Sequence, residues 1–267
     1  MFSLFFSCSP SASDSEGPAA SGPSIIIRTA AEAIAQLVMA NRIIANEGVV
    51  DALGHVSVRN PENPNTFFIS RVLAPIEVTK KDIVEVDLDG QVVNKTAQKP
   101  PGEAFIHSAI LKARPEMNAV FHGHPPSIIP FTVTDIPLRP LLNTAGFIHQ
   151  GVPVLDDYAP GSGLLIGTRE EGERVARHLG HHRVQLLRSH GCNIVAESLP
   201  RVVASAIYLN INATIQWQTL LLGKEPKYLS PQEAKPGGDI ALFQDSAMRR
   251  FWGHWSARVR YAMPDMK

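Results

Sequence analysis

Two short apolar runs end on histidines, and this constrains the fold more than any other feature of the chain. Ala119-Val120-Phe121 runs directly into His122-Gly123-His124-Pro125-Pro126, and the apolar run 184–187 leads into Ser189-His190-Gly191. In an extended segment, residues two apart project to the same side, so His122 and His124 can reach one cation. Gly123 keeps the intervening backbone permissive, and the two prolines fix the exit. Taken alone, such a pair suits a metal site and a packed core equally well. Two further features favour the metal. His190 closes a second strand, where side chains borne by a sheet converge on a shared mouth. Glu103 opens a helix directly after the turn Lys99-Pro100-Pro101-Gly102. Three imidazoles and one carboxylate make a ligand set suited to zinc or a similar divalent ion, with room left for a substrate. Such an ion polarises a bound oxygen and stabilises an enolate or enediolate.

The surrounding pattern places these residues in a layered domain. Residues 29–47 carry apolar side chains at helical spacing, with Gly48 after them as a C-cap. Residues 55–59, 67–71 and 83–87 read as strands of a mostly antiparallel sheet, the last closed by the turn Asp89-Gly90. Helices are expected over 103–113, 169–179 and 200–222. No internal repeat or clean linker interrupts this alternation. The expected fold class is therefore α/β: a single three-layer α/β/α domain over residues 28–223, with a central, mostly antiparallel sheet. Residues 224–267 form a C-terminal extension. Its Phe251, Trp252 and Trp255 are too apolar for an exposed tail and are expected to pack on the domain or on a neighbouring subunit. Residues 1–27 combine a Phe-rich start with a Ser, Ala, Pro and Gly run. The first basic residue is Arg28, so the charged region of an export signal is missing and the segment reads as a disordered tail.

The remaining histidines carry plainer readings. His178, His181 and His182 surround Gly180 at a helix end and read as solvated groups that complement the helix dipole. His107, beside Phe105 and Ile106, reads as a satisfied core histidine, and His254 lies in the aromatic tail.

Composition narrows the partners. The 267 residues carry 25 basic and 25 acidic side chains, so no polybasic field invites nucleic acid. The apolar stretch 205–222 is interrupted by Asn, Gln and Thr, unlike a segment that crosses a membrane. Two cysteines, Cys8 and Cys192, make no disulfide framework, so a reducing, cytoplasmic location is expected.

Three segments together resemble the metal-binding signature of class II aldolase/adducin proteins. They are Pro101-Gly102-Glu103-Ala104-Phe105-Ile106-His107, then Arg114-Pro115-Glu116-Met117-Asn118-Ala119-Val120-Phe121-His122-Gly123-His124, and Leu187-Arg188-Ser189-His190-Gly191. The interval of 19 residues from Glu103 to His122 is similar to that in the family's sugar-phosphate aldolases. The resemblance spans roughly residues 30–222. It implies an α/β/α fold, a homotetramer, and one divalent metal ion, zinc or manganese, per subunit, held by Glu103, His122, His124 and His190. In the family the glutamate can ligate the metal in the empty site and serve as acid/base once substrate binds.

The sequence departs from the aldolases where they cradle a phosphate. The corresponding segments read Gly54-His55-Val56-Ser57 and Ser70-Arg71-Val72-Leu73-Ala74-Pro75, the second without a glycine. A guanidinium suits a carboxylate, because its planar fork grips both oxygens. Residues 141–151 also lack the aldolase tyrosine, and their only ionisable side chain is His149. His55, Ser70-Arg71, Leu73-Ala74-Pro75, and Ile129-Pro130-Phe131 followed by Pro137-Leu138-Arg139-Pro140 resemble the family's decarboxylase branch, which includes 3-hydroxy-2-methylpyridine-4,5-dicarboxylate decarboxylase. The expected substrate is a small-molecule hydroxylated aromatic or dienoic dicarboxylic acid. Ser70 and Arg71 would bind it, and Glu103, His55 or His149 would deliver the proton that replaces carbon dioxide. The rival readings are an aldolase acting on a hydroxy-keto acid or sugar phosphate, and a non-catalytic adducin-like binding module. The retained set of Glu103, His122, His124 and His190 opposes the latter.

Overall fold

The computed structural model describes residues 25–93, 96, 98–158 and 161–264. The disordered-tail expectation for residues 1–24 lies outside these, whereas Ile25 is buried in the core. Helix α1 (Ala30–Asn46) starts at a capping box, in which the Thr29 side chain accepts from Glu32 N and the Glu32 carboxylate accepts from Thr29 N. Gly48 follows its end at a left-handed φ of +65°. Strands β1 (His55–Arg59), β2 (Thr66–Ser70) and β3 (Ile83–Asp87) come next, and β2 ends one residue short of Arg71, its expected last residue. The chain continues through α2 (Ala104–Ala113), β4 (Ala119–Gly123), the short α3 (Ile129–Thr132) and β5 (Val154–Leu155). It then forms α4 (Arg169–Leu179), β6 (Val184–Leu187), β7 (Gly191–Ala196), α5 (Leu199–Leu221), α6 (Pro231–Phe243) and α7 (Asp245–Ala262).

The strands form one sheet in the order β3-β2-β1-β4-β7-β6-β5, antiparallel throughout except for the parallel edge pair β5–β6. Side chains alternate between its faces. Val56, Val58, Phe121, Leu186 and Ile194 meet residues of α1, α5 and α7. Phe67, Ile69, Val120, Leu187 and Val195 meet residues of α2 and α4. This arrangement is the expected three-layer α/β/α sandwich.

The α2/α4 face is not uniformly apolar. His55 of β1 pairs in register with His122 of β4, His122 with Asn193 of β7, and Asn193 with Gln185 of β6. All four side chains are buried, as is Ser57, two residues along β1 on the same face. A row of polar groups therefore crosses four strands inside the protein.

The C-terminal helix answers the question raised by its aromatics. Trp252 and Trp255 are buried in the core formed with α1 and α5, and the Phe251 ring lies 5.6 Å from Trp255 and 5.4 Å from Tyr208. The extension thus covers its own domain, and this cluster calls for no neighbouring subunit. Trp252 is only 2% exposed. Trp252→Ala is expected to lower the unfolding free energy by about 3–5 kcal/mol in a denaturant titration. A loss below about 0.5 kcal/mol, as for surface substitutions, would contradict this packing.

Candidate metal centre and active site

Three chain segments bring the ligand atoms together. Strand β4 carries His122 near its end and delivers His124 immediately after Gly123. The β6–β7 hairpin pairs Leu187 with Gly191 and presents His190 at its tip. At that tip Ser189 adopts a left-handed φ of 53°, and His190 N donates to Leu187 O at 3.1 Å. The approach is close enough to require glycine. A Cβ on Gly191 would lie 2.3 Å from Gly123 O and 2.7 Å from His124 Cδ2. Gly123 is likewise needed for space rather than for backbone freedom, since its Cβ would lie 2.6 Å from Phe121 Cζ.

Glu103 occupies the N-cap position of α2 but makes no side-chain capping bond. Its carboxylate turns to the histidines instead. Oε1 lies 3.0 Å from His190 Nε2, and Oε2 lies 3.4 Å from both His122 Nε2 and His55 Nε2. His122 Nε2 and His124 Nε2 are 3.2 Å apart. One ligand atom from each of Glu103, His122, His124 and His190 falls within 4.8 Å of the others.

The electrostatics suit a cation. Burial opposes ionisation of Glu103, but the close rings of His122, His190 and His55 outweigh it and hold the carboxyl far below the usual carboxylate range. Burial, reinforced by His122 and His190, depresses His124 to about 4, so its ring is neutral at neutral pH. Burial likewise lowers His55 and, more strongly, His107.

A hydrogen-bonded chain behind His122 prepares it as a ligand. Gln185 Nε2 donates to Val175 O at 3.2 Å, which leaves Gln185 Oε1 to accept from Asn193 Nδ2 at 3.0 Å. Asn193 Oδ1 then faces His122 Nδ1 at 2.8 Å, so Nδ1 carries the hydrogen. In the neutral ring the Nε2 lone pair is left pointing at the other three ligands. Three imidazole nitrogens and a carboxylate oxygen fit a divalent first-row ion. Cys192 contributes no thiolate: its side chain faces the opposite core, and burial pushes the thiol well above its ordinary range.

The ligands open into a cleft of about 640 Å³. Its apolar walls include Leu53, Val72, Leu73, Leu165 and Ile166, and the polar side chains among its lining residues are His55, Glu103, His124 and His190. The other expected site residues lie elsewhere. Ser70 is buried at the end of β2 and does not line the cleft. The chain directs Val72, Leu73 and Ala74 into the wall, while Arg71 Nε pairs with Asp82 Oδ1 at 2.8 Å. His149 follows a 3-10 turn and lines a separate cavity with Arg114, His181 and Lys235, so this chain does not bring it to Glu103. His178 is less solvated than expected, since its Nδ1 meets Gln185 Nε2 at 2.8 Å.

Sequence reasoning passed over Asn193, Gln185 and the wall residues 165–167. For the first two a signal existed: each is a polar residue at an inward position of an apolar strand. Residues 165–167 precede α4 in a loop without periodicity, and nothing local marks them.

Similarity to known proteins agrees with this architecture. The Class II Aldolase and Adducin N-terminal domain matches residues 35–217, and the chain belongs to that family. It is 35% identical over 241 residues to decarboxylase tropJ of Talaromyces stipitatus, covering 81% of this chain and 90% of that protein. It is 30% identical over 255 residues to 3,4-dihydroxyphthalate decarboxylase of Arthrobacter keyseri, covering 87% and 95% respectively. An aldolase II superfamily protein from Pseudomonas syringae shares the fold with a TM-score of 0.75 at 22% identity, over 90% of this chain and 97% of that one. L-fuculose 1-phosphate aldolase from Glaciozyma antarctica superimposes with a TM-score of 0.72 at 23% identity, over 88% and 90%. These relatives make the chain a lyase of the class II aldolase family. Among the described residues, no helix is long and apolar enough to cross a membrane.

Two outcomes follow from the site. His124→Ala is expected to remove most of a bound divalent ion while the far-ultraviolet circular dichroism stays unchanged; full occupancy by elemental analysis would contradict the ligand set. The second concerns acid. The native His124 ring, at about 4 against an ordinary 6.5, stays neutral while the unfolded chain takes up a proton. Metal-free protein should therefore lose thermal stability as the pH falls from 6.5 towards 4. The loss should be smaller in His124→Ala, and identical pH profiles for the two proteins would refute the assignment.

Proposed function

We propose that this lyase is a divalent-metal-dependent, non-oxidative decarboxylase of a hydroxylated aromatic or dienoic dicarboxylic acid. The observation that carries the reading is the chemistry of the cleft: a converging Glu and three-His ligand set beneath walls that are otherwise apolar. A flat, unsaturated acid suits such walls. A sugar phosphate favours backbone amides and small residues around its phosphate, and here the small lining residues Gly54, Gly102 and Gly167 are interleaved with the bulky Leu53, Val72, Leu73, Leu165 and Ile166. The two decarboxylase relatives lend further support.

Glu103, His122, His124 and His190 would hold the ion, zinc or manganese, which supplies Lewis acidity that draws electron density from a substrate oxygen. The protein's own groups manage the proton. Glu103 enters the reaction ionised, so its carboxylate can take the proton of the substrate hydroxyl. Cleavage of the bond to the carboxylate releases carbon dioxide and leaves the electron pair on the substrate carbon. Glu103 returns its proton to that carbon, and solvent reprotonates the hydroxyl oxygen. A positioned acid/base of this kind contributes about 10²–10⁴-fold. His55, 3.4 Å from Glu103 on the same cleft, is within reach of both partners. His149 would need to enter from outside this chain's cleft. The reading keeps the homotetramer that the family resemblance implies and a cytoplasmic location.

The test is a panel of hydroxylated aromatic and dienoic dicarboxylic acids assayed for released carbon dioxide, with aldehyde products followed in parallel. Carbon dioxide release that depends on added metal supports the reading. Aldehyde release from a hydroxy-keto acid or sugar phosphate, without carbon dioxide from any acid, assigns the chain to aldol cleavage. Arg71 receives its own test. If the second carboxylate recruits Arg71 from Asp82, Arg71→Lys loses the bidentate fork. The kcat/KM should then fall about 10-fold or more, from roughly 1.5–3 kcal/mol of charge-assisted hydrogen bonding, with metal content unchanged. Unaltered kinetics in both Arg71→Lys and Arg71→Ala would confine Arg71 to its pair with Asp82.

A further inference from the structure

A second buried chain runs behind the site on the side away from Asn193. Ser57 Oγ lies 2.7 Å from His107 Nδ1, and His107 Nε2 lies 2.8 Å from His55 Nδ1. His55 Nε2 is 3.4 Å from Glu103 Oε2. Ser57 and His107 are fully buried, and His55 is 5% exposed. His107 arises from α2, Ser57 and His55 from β1, so the chain ties the helix that carries Glu103 to the centre of the sheet.

The hydrogens in this chain can be placed from its charged end. An ionised carboxylate only accepts hydrogen bonds, so a ring nitrogen that faces it with no cation between them carries the hydrogen, and His55 stands outside the four-residue ligand set. A neutral His55 ring with hydrogen on Nε2 has its lone pair on Nδ1 and must accept there, which makes His107 Nε2 the donor. The His107 lone pair then falls on Nδ1, and the Ser57 hydroxyl donates to it. The reverse polarity would aim the His55 Nε2 lone pair at the Glu103 carboxylate with no ion to separate them, whereas the His122 lone pair, at the same 3.4 Å from Glu103, would meet the ion. His122 shows the opposite outcome one strand away, because its chain ends on the Val175 carbonyl and leaves a hydrogen on Nδ1. The two imidazoles are stacked with ring centroids 5.3 Å apart, yet one presents a lone pair to the other ligands and the other an N–H to the cleft.

A second observation points the same way. His55 Nε2 is buried and has no partner within hydrogen-bond geometry among the described residues, although the His55 side chain lines the cleft. A donor held in that state is prepared for an acceptor that arrives in the cleft.

We propose that Ser57 and His107 are positioning residues that lock His55 as the Nε2–H tautomer, which makes it a hydrogen-bond donor that faces the Glu103 carboxylate and is open to a substrate oxygen, rather than a fourth imidazole ligand or a base. The consequence for substrate rests on the decarboxylase reading, whereas the tautomer does not. In that reaction the N–H steadies the Glu103 carboxylate while it carries the proton, and offers a bond to the carboxylate group about to leave.

The experiment is a long-range ¹H–¹⁵N correlation spectrum of the zinc-loaded, ¹⁵N-histidine-labelled protein, with His55 and His107 assigned from His55→Asn and His107→Gln. Both rings are expected as neutral Nε2–H tautomers. Ser57→Ala should disturb both sets of ring signals and Ser57→Thr, which keeps the hydroxyl, should restore them, while zinc content stays the same throughout. In activity, Ser57→Ala should lower kcat about tenfold or more, with recovery in Ser57→Thr. An Nδ1–H tautomer at His55 in the unsubstituted protein overturns the proposal without any variant. Ring signals unchanged by Ser57→Ala would overturn the part played by Ser57. Absence of carbon dioxide release alongside the expected tautomers would count against the decarboxylase reading and leave the positioning chain standing.

Discussion

The interior of this protein has to accommodate a row of polar side chains across one face of an otherwise apolar sheet. Buried polar groups left unpaired cost about 1–3 kcal/mol each, so the row is tolerable only when its hydrogen bonds close. Gln185, Asn193 and His122 close theirs on the Val175 carbonyl at one end. Ser57, His107 and His55 run towards the Glu103 carboxylate at the other. The geometry of the site follows from this constraint. The rings of His122 and His55, which would otherwise be free, are fixed by partners buried behind them, and each holds a defined nitrogen state.

Sheet topology supplies the rest. Because β1, β4 and β7 are neighbours, His55, His122 and Asn193 fall in register, and the hairpin tip with His190 lies over the end of β4. The tip can approach only because Gly191 lacks a side chain, and Glu103 reaches the group because it starts the helix that covers this face. The large apolar cores on both faces hold these elements still, with α7 closing the far side through Trp252 and Trp255. The site is thus carried on rigid elements, while residues 165–167 bring an apolar wall from a loop.

Much of this was legible in the sequence. The histidine-terminated strands announced themselves because period-two alternation and metal-ligand spacing are both local signals. Most strand and helix positions followed from similar patterns, and His107 emerged as a core histidine. Arg71 shows where local reading stops. Its place beside the expected cleft was visible, but its pairing with Asp82 depends on how the turn after β2 folds against the residues before β3. The placement of His149 at a separate cavity of this chain was hidden for a related reason, since the long connection from α3 to β5 offers no periodicity from which to judge where its side chain points. The aromatic tail posed a choice between its own domain and a neighbour that only tertiary packing decides. Gln185 and Asn193 were readable in principle, as polar residues on the inward parity of buried strands.

The account stands on the claim that Glu103, His122, His124 and His190 bind one divalent ion. X-ray absorption spectroscopy of the zinc-loaded protein tests this most directly. The account predicts a nitrogen and oxygen shell at about 2.0–2.2 Å with the multiple-scattering signature of three imidazoles and no sulfur. A shell with fewer than two imidazoles, or one containing sulfur at about 2.3 Å, would contradict it.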